Sequence, residues 1–172
     1  LFRSDALLDR ESHDYDIASS CPLDKLTELF SDYNINDNAA HLGNIAFKHD
    51  GMNIEITRFR KEFDYKDRVP GRVEFIDSLY DDLVRRDFTI NTIAYHPAKG
   101  IIDLLRGSKD LDKGILRSLG DPKVKFREDP LRVLRLIRFQ SQLGFSIEEL
   151  TTLAAYDTSL ELTIKQWTHE FF

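Results

Sequence analysis

Two runs of alternating character, Asn44 to Lys48 and Asn53 to Phe59, stand on either side of His49, Asp50 and Gly51. Side chains on a strand alternate between faces, so a period of two marks a half-buried strand. Asp-Gly is a dipeptide favoured where a tight hairpin needs two consecutive left-handed residues. A sheet is therefore expected, and the rest of the chain must supply what packs on it. Leu23 to Phe30, with Asp24 near its start, has the spacing of a short amphipathic helix. It follows an alternating stretch from His13 to Ala18 bounded by Ser19, Ser20 and Pro22, and Asp5 to Arg10 is helix-compatible. Asn34 to Asn38 is turn material, Ile76 to Arg86 returns to helical spacing, and Ile101 to Leu105 reads as a short strand with a turn at Gly107. The charge-dense segment Arg60 to Arg72, which holds Pro70 and Gly71, is expected to be an exposed, mobile connection without chemistry. After Gly120 the pattern turns helical, with Asp129 to Gln142 ending at Gly144. Mixed elements in front and helices behind give an α+β fold class.

A chain of 172 residues suits one domain, or a domain and the start of a second. No stretch has the length of a membrane span, and Leu1 to Arg10 lacks the basic start and apolar run of a secretory signal, so a cytoplasmic location is expected, with no membrane partner. Cys21 is the single cysteine, which excludes an internal disulfide and a cysteine-rich zinc site. His13, His41, His49, His96 and His169 lack the close pairing of a zinc motif. The formal net charge of −6 argues against nucleic acid as a partner until its distribution is read. From Arg85 to Arg138 there are thirteen Lys or Arg against seven Asp or Glu, a local +6 that leaves −12 for the remainder. Screening makes near charges matter more than distant ones, so such a segment can hold phosphates in an acidic protein. On charge alone, a solvated basic face is the simpler reading.

Chemistry enters at Asp14-Tyr15-Asp16. Residues two apart on a strand share a face, so these two carboxylates suit one or two hard cations, magnesium above all. Taken alone, the pair is a weak signal, and a solvated strand end is the better reading. Two further strings follow in order. Arg85 to Tyr95 reads RRDFTINTIAY, and Leu116 to Phe145 reads LRSLGDPKVKFREDPLRVLRLIRFQSQLGF. In the second, Asp129, Arg132, Arg135 and Arg138 recur every three residues, a drifting helical stripe beside Leu131, Leu134 and Ile137, so one side packs and the other can read a ligand. The alternative for such a stripe is a solvated ion-pair face.

With DYDIAS, these strings resemble in order and content the motifs of the tRNA nucleotidyltransferase and bacterial poly(A) polymerase family, which includes CCA-adding enzymes; the likeness runs along nearly the whole chain. The resemblance implies a polymerase-beta-like nucleotidyltransferase head, with a small mixed or antiparallel sheet and helices, over residues 1–110. The start of an all-helical neck would follow over 111–172, with a base-recognition helix at 128–142 and no body or tail. It implies that Asp14 and Asp16 are catalytic and hold Mg2+, that Arg86 contacts the triphosphate, and that Asn91 lies near the ribose. Asp129 and Arg132 would hydrogen-bond the incoming base, with Arg135 and Arg138 contributing to the nucleotide site. A carboxylate accepts from the exocyclic amino group of cytosine or adenine, and meets another acceptor in uracil or guanine. The implied partners are ATP, CTP and the 3′ end of tRNA, with no DNA expected, and the implied reaction is template-independent CCA addition. A-adding or poly(A) activity, and an inactive nucleotide- or RNA-binding remnant, are the alternatives. Glu55 alternates with Ile54 and Ile56, which favours an outward structural residue over a third metal ligand. Asp103 to Gly107, DLLRG, resembles the family's flexible element, where Gly107 would permit a backbone conformation that other residues resist.

The chain also departs from the family pattern. Leu1 to Asp5 stand where a glycine pair and a Val-Arg-Asp string are usual, Ser4 replaces a triphosphate-binding arginine, and Asp9 replaces a glycine before Arg10. A missing first strand and an altered phosphate loop are implied, because glycine lets backbone N–H groups approach phosphate closely. Thr92 stands where alanine is usual, and Trp167 to Phe172 ends within the helical region.

Overall fold

The structure, a computed structural model, describes residues 14–66 and 69–159. The expected Asp5–Arg10 helix, the departures at Ser4 and Asp9 and the final Trp167–Phe172 segment lie outside the described residues. The chain divides into two compact units, Leu1–Glu62 with Val73–Leu83, and Phe63–Arg72 with Val84–Phe172. No helix among the described residues is long and apolar enough to cross a membrane.

In the first unit, β1 (Asp14–Ser19), β2 (Asn44–His49) and β3 (Met52–Arg58) form one sheet in the order β1-β3-β2. β3 runs parallel to β1 and antiparallel to β2, so the sheet is mixed. The β2–β3 hairpin turns as the sequence requires. Asp50 and Gly51 take φ values of 48° and 80°, the paired left-handed conformations of a two-residue hairpin loop. One face of the sheet is apolar. Ile45, Phe47 and Ile56 are buried with Leu26 of α1 (Leu23–Leu29), and Phe30, Tyr33 and Ile54 pack against them. Burial of each such side chain contributes about 1.5–3 kcal/mol, which fixes the register: a slip of one residue would turn this set to water. The opposite face is therefore the polar one, and on it Asp16, Asn53 and Glu55 are exposed.

Residues 60–72 correct the expectation of a mobile connection. Arg60–Lys66 (β4) and Val69–Phe75 (β5) form a two-stranded sheet. The alternation Phe63, Asp64, Tyr65, Lys66 is a strand pattern masked by the charge of its outward members. Helix α2 (Leu79–Val84) is shorter than the Ile76–Arg86 span its spacing suggested. Ser78 caps it, its Oγ accepting from the Asp81 N–H at 3.3 Å.

The second unit holds β6 (Ala94–His96) paired with β7 (Gly100–Ile102), helix α3 (Gly107–Asp112), and the short parallel pair β8 (Ile115–Leu116) and β9 (Ser146–Ile147). Helices α4 (Pro122–Glu128), α5 (Leu131–Leu143) and α6 (Glu149–Ser159) complete it. Its core is Phe88, Ile90, Ile93, Leu116, Phe126, Leu134, Leu136 and Phe139, with Phe88 and Phe139 meeting edge to face at 5.8 Å. The packed side of α5 differs from the expected Leu131, Leu134, Ile137 stripe. Val133, Leu136 and Phe139 are buried with Leu131 and Leu134, whereas Ile137 is 42% exposed. A helix surrounded on much of its girth buries more than one three-residue row, and here even Arg132 turns inward.

Gly107 is required for a reason other than the one expected. The left-handed residue is its neighbour Arg106, at φ 60°. At Gly107 a Cβ would lie 2.2 Å from the carbonyl oxygen of Thr89 and 3.0 Å from Ile93 Cγ1. Helix α3 thus approaches the 3-10 turn Thr89–Thr92 more closely than any side chain allows. Gly107→Ala should destabilise the protein by about 1–3 kcal/mol, the usual cost of overpacking against a backbone that must shift. Urea denaturation followed by circular dichroism will read this, and an unchanged midpoint would refute the close approach.

Candidate active site

Asp16 lies on β1 in register with Glu55 on β3, and Asp14 in register with Asn53. Paired residues of adjacent strands project to the same side, so Asp16 and Glu55 are neighbours on the exposed polar face. Glu55 does alternate with the buried Ile56, as an outward residue should. It is also tied in place, since its Oε1 accepts from Asn44 Nδ2 at 2.8 Å, while Asn44 Oδ1 accepts from Arg60 at 3.0 Å. Arg60 is in turn held by Glu62 at 2.6 Å. The donor set suits magnesium: exposed carboxylates on adjacent strands, with no sulfur or imidazole among them. Among the described residues no group of three or more acidic, histidine or cysteine side chains could hold a metal. Magnesium does not need one, because it is commonly held by one or two carboxylates together with substrate phosphates and water.

The second unit brings four residues of the basic segment together around a carboxylate that the sequence reading passed over. Asp87 is buried at 7% exposure. Its Oδ1 accepts from the Phe88 N–H and from Asn91 Nδ2, each at 2.8 Å. Its Oδ2 accepts from Arg135 Nε at 2.8 Å, and the Arg135 Nη2 also lies 2.8 Å away, a side-on pairing. Arg86 joins the cluster at longer range, its Nη1 donating to the Asn91 carbonyl at 3.5 Å. Burial by itself raises the Asp87 carboxyl, but the charge of Arg135 and the hydrogen bonds from Asn91, Arg135 and Phe88 outweigh it and hold the group below its ordinary value. Arg86, Asn91 and Arg135 thus share one cluster.

Asp129 and Arg132 sit at the junction of α4 and α5. Asp129 Oδ1 accepts from the Leu131 N–H at 3.1 Å, which caps α5 and orients the carboxylate. Arg132, 7% exposed, donates to Glu128 Oε2 at 2.9 Å and to the Lys125 carbonyl at 2.8 Å, and lies 5.9 Å from the Tyr65 ring centre. Lys125 and Glu128 belong to the last turn of α4, and the Lys125 carbonyl, which accepts from the Asp129 N–H at 3.3 Å, takes Arg132 as a second donor. Arg138 lies one turn beyond Arg135, its guanidinium 5.4 Å from the Phe139 ring centre. The side chain of Asp14 lies outside the description.

A further polar network supports the Thr89–Thr92 turn. Thr89 Oγ1 donates to Asp110 Oδ2 at 2.7 Å, and Arg117 bridges Asp110 to Glu148, each at 3.0 Å. Glu148 Oε2 accepts from the Thr151 hydroxyl at 2.7 Å, and Thr151 Oγ1 accepts from the Ser118 N–H at 3.0 Å. Thr92, fully buried, donates to the Thr89 carbonyl at 2.7 Å, so its hydroxyl has a partner that alanine would lack. Across the DLLRG turn, Asp103 caps α3, accepting from the N–H groups of Gly107 at 2.7 Å and Ser108 at 3.0 Å and from the Ser108 hydroxyl.

The family profile described as the poly A polymerase head domain matches residues 3–117. The chain belongs to this family. Along 97% of its length it is 42% identical to the CCA-adding enzyme of Geobacillus sp. (strain WCH70), and along 89% it is 44% identical to that of Lactobacillus helveticus (strain DPC 4571). It spans 42% and 38% of those relatives. Among solved structures it is similar to the Bacillus stearothermophilus CCA-adding enzyme in complex with CTP, with a TM-score of 0.84 and 33% identity over 98% of this chain and 41% of that one. A tRNA nucleotidyltransferase complexed with a primer tRNA and an incoming ATP analog gives a TM-score of 0.73 at 27% identity, over 93% of this chain and 45% of that one. The family bears out the polymerase-beta-like α+β head and the nucleotidyltransferase class read from the three motifs.

Asp103 offers a test of the site's electrostatics. Burial raises its carboxyl, but the Ser108 hydroxyl and the N–H groups of Ser108, Gly107 and Arg106 together lower it below 3.8. A carboxyl lowered on folding gives stability that is complete above the ordinary carboxylate range and is lost as pH falls through the lower folded value. Asp103→Asn should therefore lower the urea midpoint at pH 7 and reduce the difference between pH 7 and about pH 3. An equal loss at both pH values would refute the assignment.

Proposed function

We propose that this chain carries the nucleotidyl-transfer site of an enzyme that adds CMP and AMP from CTP and ATP to the 3′ end of tRNA without a nucleic-acid template. The observation that carries this reading is the likeness to CCA-adding enzymes along 97% of the chain, which includes the acidic strand β1 and the arginine-bearing helix α5. The RNA 3′ hydroxyl attacks the α-phosphate of the incoming triphosphate, and pyrophosphate leaves. Asp14 and Asp16 are the residues assigned to a magnesium site, with Asp16 on the exposed face beside Glu55. When bound, the cation supplies charge neutralisation at the phosphates and lowers the pKa of the attacking hydroxyl.

The basic segment does the recognition. Arg86 and Arg135 donate to triphosphate oxygens, which guanidinium suits because its planar fork offers two parallel N–H groups. Asn91 lies toward the ribose, and Arg138 adds positive charge one turn along α5. Asp129 accepts from the exocyclic amino group shared by cytosine and adenine, and Arg132 donates to the adjacent ring nitrogen. Each is already oriented, Asp129 by the Leu131 N–H and Arg132 by Glu128 and the Lys125 carbonyl. Pre-orientation of this kind reduces the entropy lost on binding. The match to a poly A polymerase head favours one rival, transfer of adenylate alone.

Offering CTP, ATP, GTP and UTP separately with tRNA that ends before CCA decides between these readings. Incorporation of CMP followed by AMP is expected, and incorporation of AMP alone would establish the rival. Asp16→Ala should reduce transfer by a factor on the order of 10²–10³, the scale of losing one electrostatic stabiliser, with the circular dichroism spectrum retained. Transfer at the normal rate would remove Asp16 from the site. Asp129→Ala should admit UTP or GTP more than it weakens ATP binding, and unchanged selectivity would refute base reading by this carboxylate.

A further inference from the structure

We infer that Asp87 is a positioning residue: its carboxylate clamps Arg135 and Asn91 in the geometry in which they receive the nucleotide, and does not itself touch it. The inference rests on the nucleotide roles proposed above for Arg135 and Asn91. A carboxylate has about four acceptor positions on its two oxygens. At Asp87 four donors within 2.8 Å account for them: the Phe88 N–H, Asn91 Nδ2, and the Nε and Nη2 of Arg135. A fifth donor from a ligand would have to displace one of these inside a site that is 7% exposed. Asp87 therefore acts through its partners.

What the clamp fixes is direction. Nε and Nη2 both meet Oδ2 at 2.8 Å, which engages one edge of the guanidinium and turns that edge toward Asp87. The Phe139 ring, 5.7 Å from the Arg135 guanidinium carbon, borders the same group. The second oxygen does the same for Asn91. With its Nδ2 spent on Asp87, the amide oxygen points away from the carboxylate. The peptide frame is fixed too, since the Asp87 carbonyl accepts from the Leu119 N–H at 2.9 Å. One buried side chain thus joins the 3-10 turn to α5 across 48 residues of sequence. A shift of about 1 Å in a positioned group can cost on the order of 10²-fold in rate, which makes such a clamp matter to function as well as to stability.

The test uses the whole chain and magnesium-ATP as the probe. Asp87→Asn keeps shape and one acceptor but sets an amide against Arg135. Arg135→Lys keeps charge but loses the side-on fork. Each should weaken ATP binding by at least about tenfold, a modest fraction of what breaking a buried charge pair costs. The double variant should bind no worse than the weaker single one, because both remove the same interaction. Binding by Asp87→Asn within twofold of the unmodified chain, or losses that multiply in the double variant, would overturn the inference. A second readout does not depend on a variant staying folded. The Arg135 Nε–H signal, assigned through its bonded side-chain nuclei in the unmodified protein, should exchange slowly with solvent in the absence of nucleotide, and exchange at the rate of an exposed arginine overturns the clamp. Slow exchange without any ATP binding by the unmodified chain instead overturns the proposed function and the positioning role that rests on it.

Discussion

The second unit depends on a buried charge being fully answered. A carboxylate moved out of water loses several kcal/mol of solvation, and attraction to one counter-ion offsets this only if its other lone pairs are satisfied too. At Asp87 they are, by the Phe88 N–H, the Asn91 side-chain amide and two nitrogens of Arg135 on α5. Phe88, next in sequence, enters the core against Phe139 of the same helix. Polar and apolar contacts therefore fix the same pair of elements, and neither the turn nor the helix can shift without exposing one or stranding the other.

A related economy governs the α4–α5 junction. Helix ends leave carbonyl and N–H groups without intrahelical partners. Here Asp129 supplies the acceptor for the start of α5, while Arg132 supplies a donor for the end of α4. Residues proposed to read a base are thus the residues that close two helices. Their substitution will change both recognition and the local backbone, so selectivity measured against binding separates the two effects better than activity alone.

Much of this was legible in the sequence where the relevant physics is local. The β2–β3 hairpin followed from Asp50-Gly51, because that pair readily takes the two consecutive left-handed conformations of a type I′ loop, and α5 followed from its apolar spacing and from Gly144. The β4–β5 hairpin was missed because outward charge and the Pro70-Gly71 pair imitate a loop, although Phe63 and Tyr65 alternate with charged residues. Gly107 was noticed for the wrong reason. A glycine can be demanded by its own dihedral angles or by a neighbour's approach, and the second depends on Thr89, eighteen residues away in sequence. Three motifs in order gave the family, yet the string RRDFTIN did not disclose what its aspartate does. The partner of Asp87 lies on another element, and no period or spacing within the string points to it. Nor did alternation around Glu55 reveal its register with Asp16, since parallel pairing of β1 and β3 is set by the packing of the whole sheet.

The distribution of charge has a further consequence. The basic segment reads as +6 in sequence, but several of its cations are committed internally: Arg117 to Asp110 and Glu148, Arg132 to Glu128, Arg135 to Asp87. Counting formal charge therefore overstates the field that a triphosphate would meet. What the segment offers is a set of guanidinium groups anchored by carboxylates, and in the proposed nucleotide site such groups would recognise phosphate through direction more than through net charge. An arginine anchored on one edge by an anion would meet a ligand with its guanidinium already oriented. In the proposed nucleotide site the internal acids of the segment would thus contribute to recognition, even though they reduce its net positive charge.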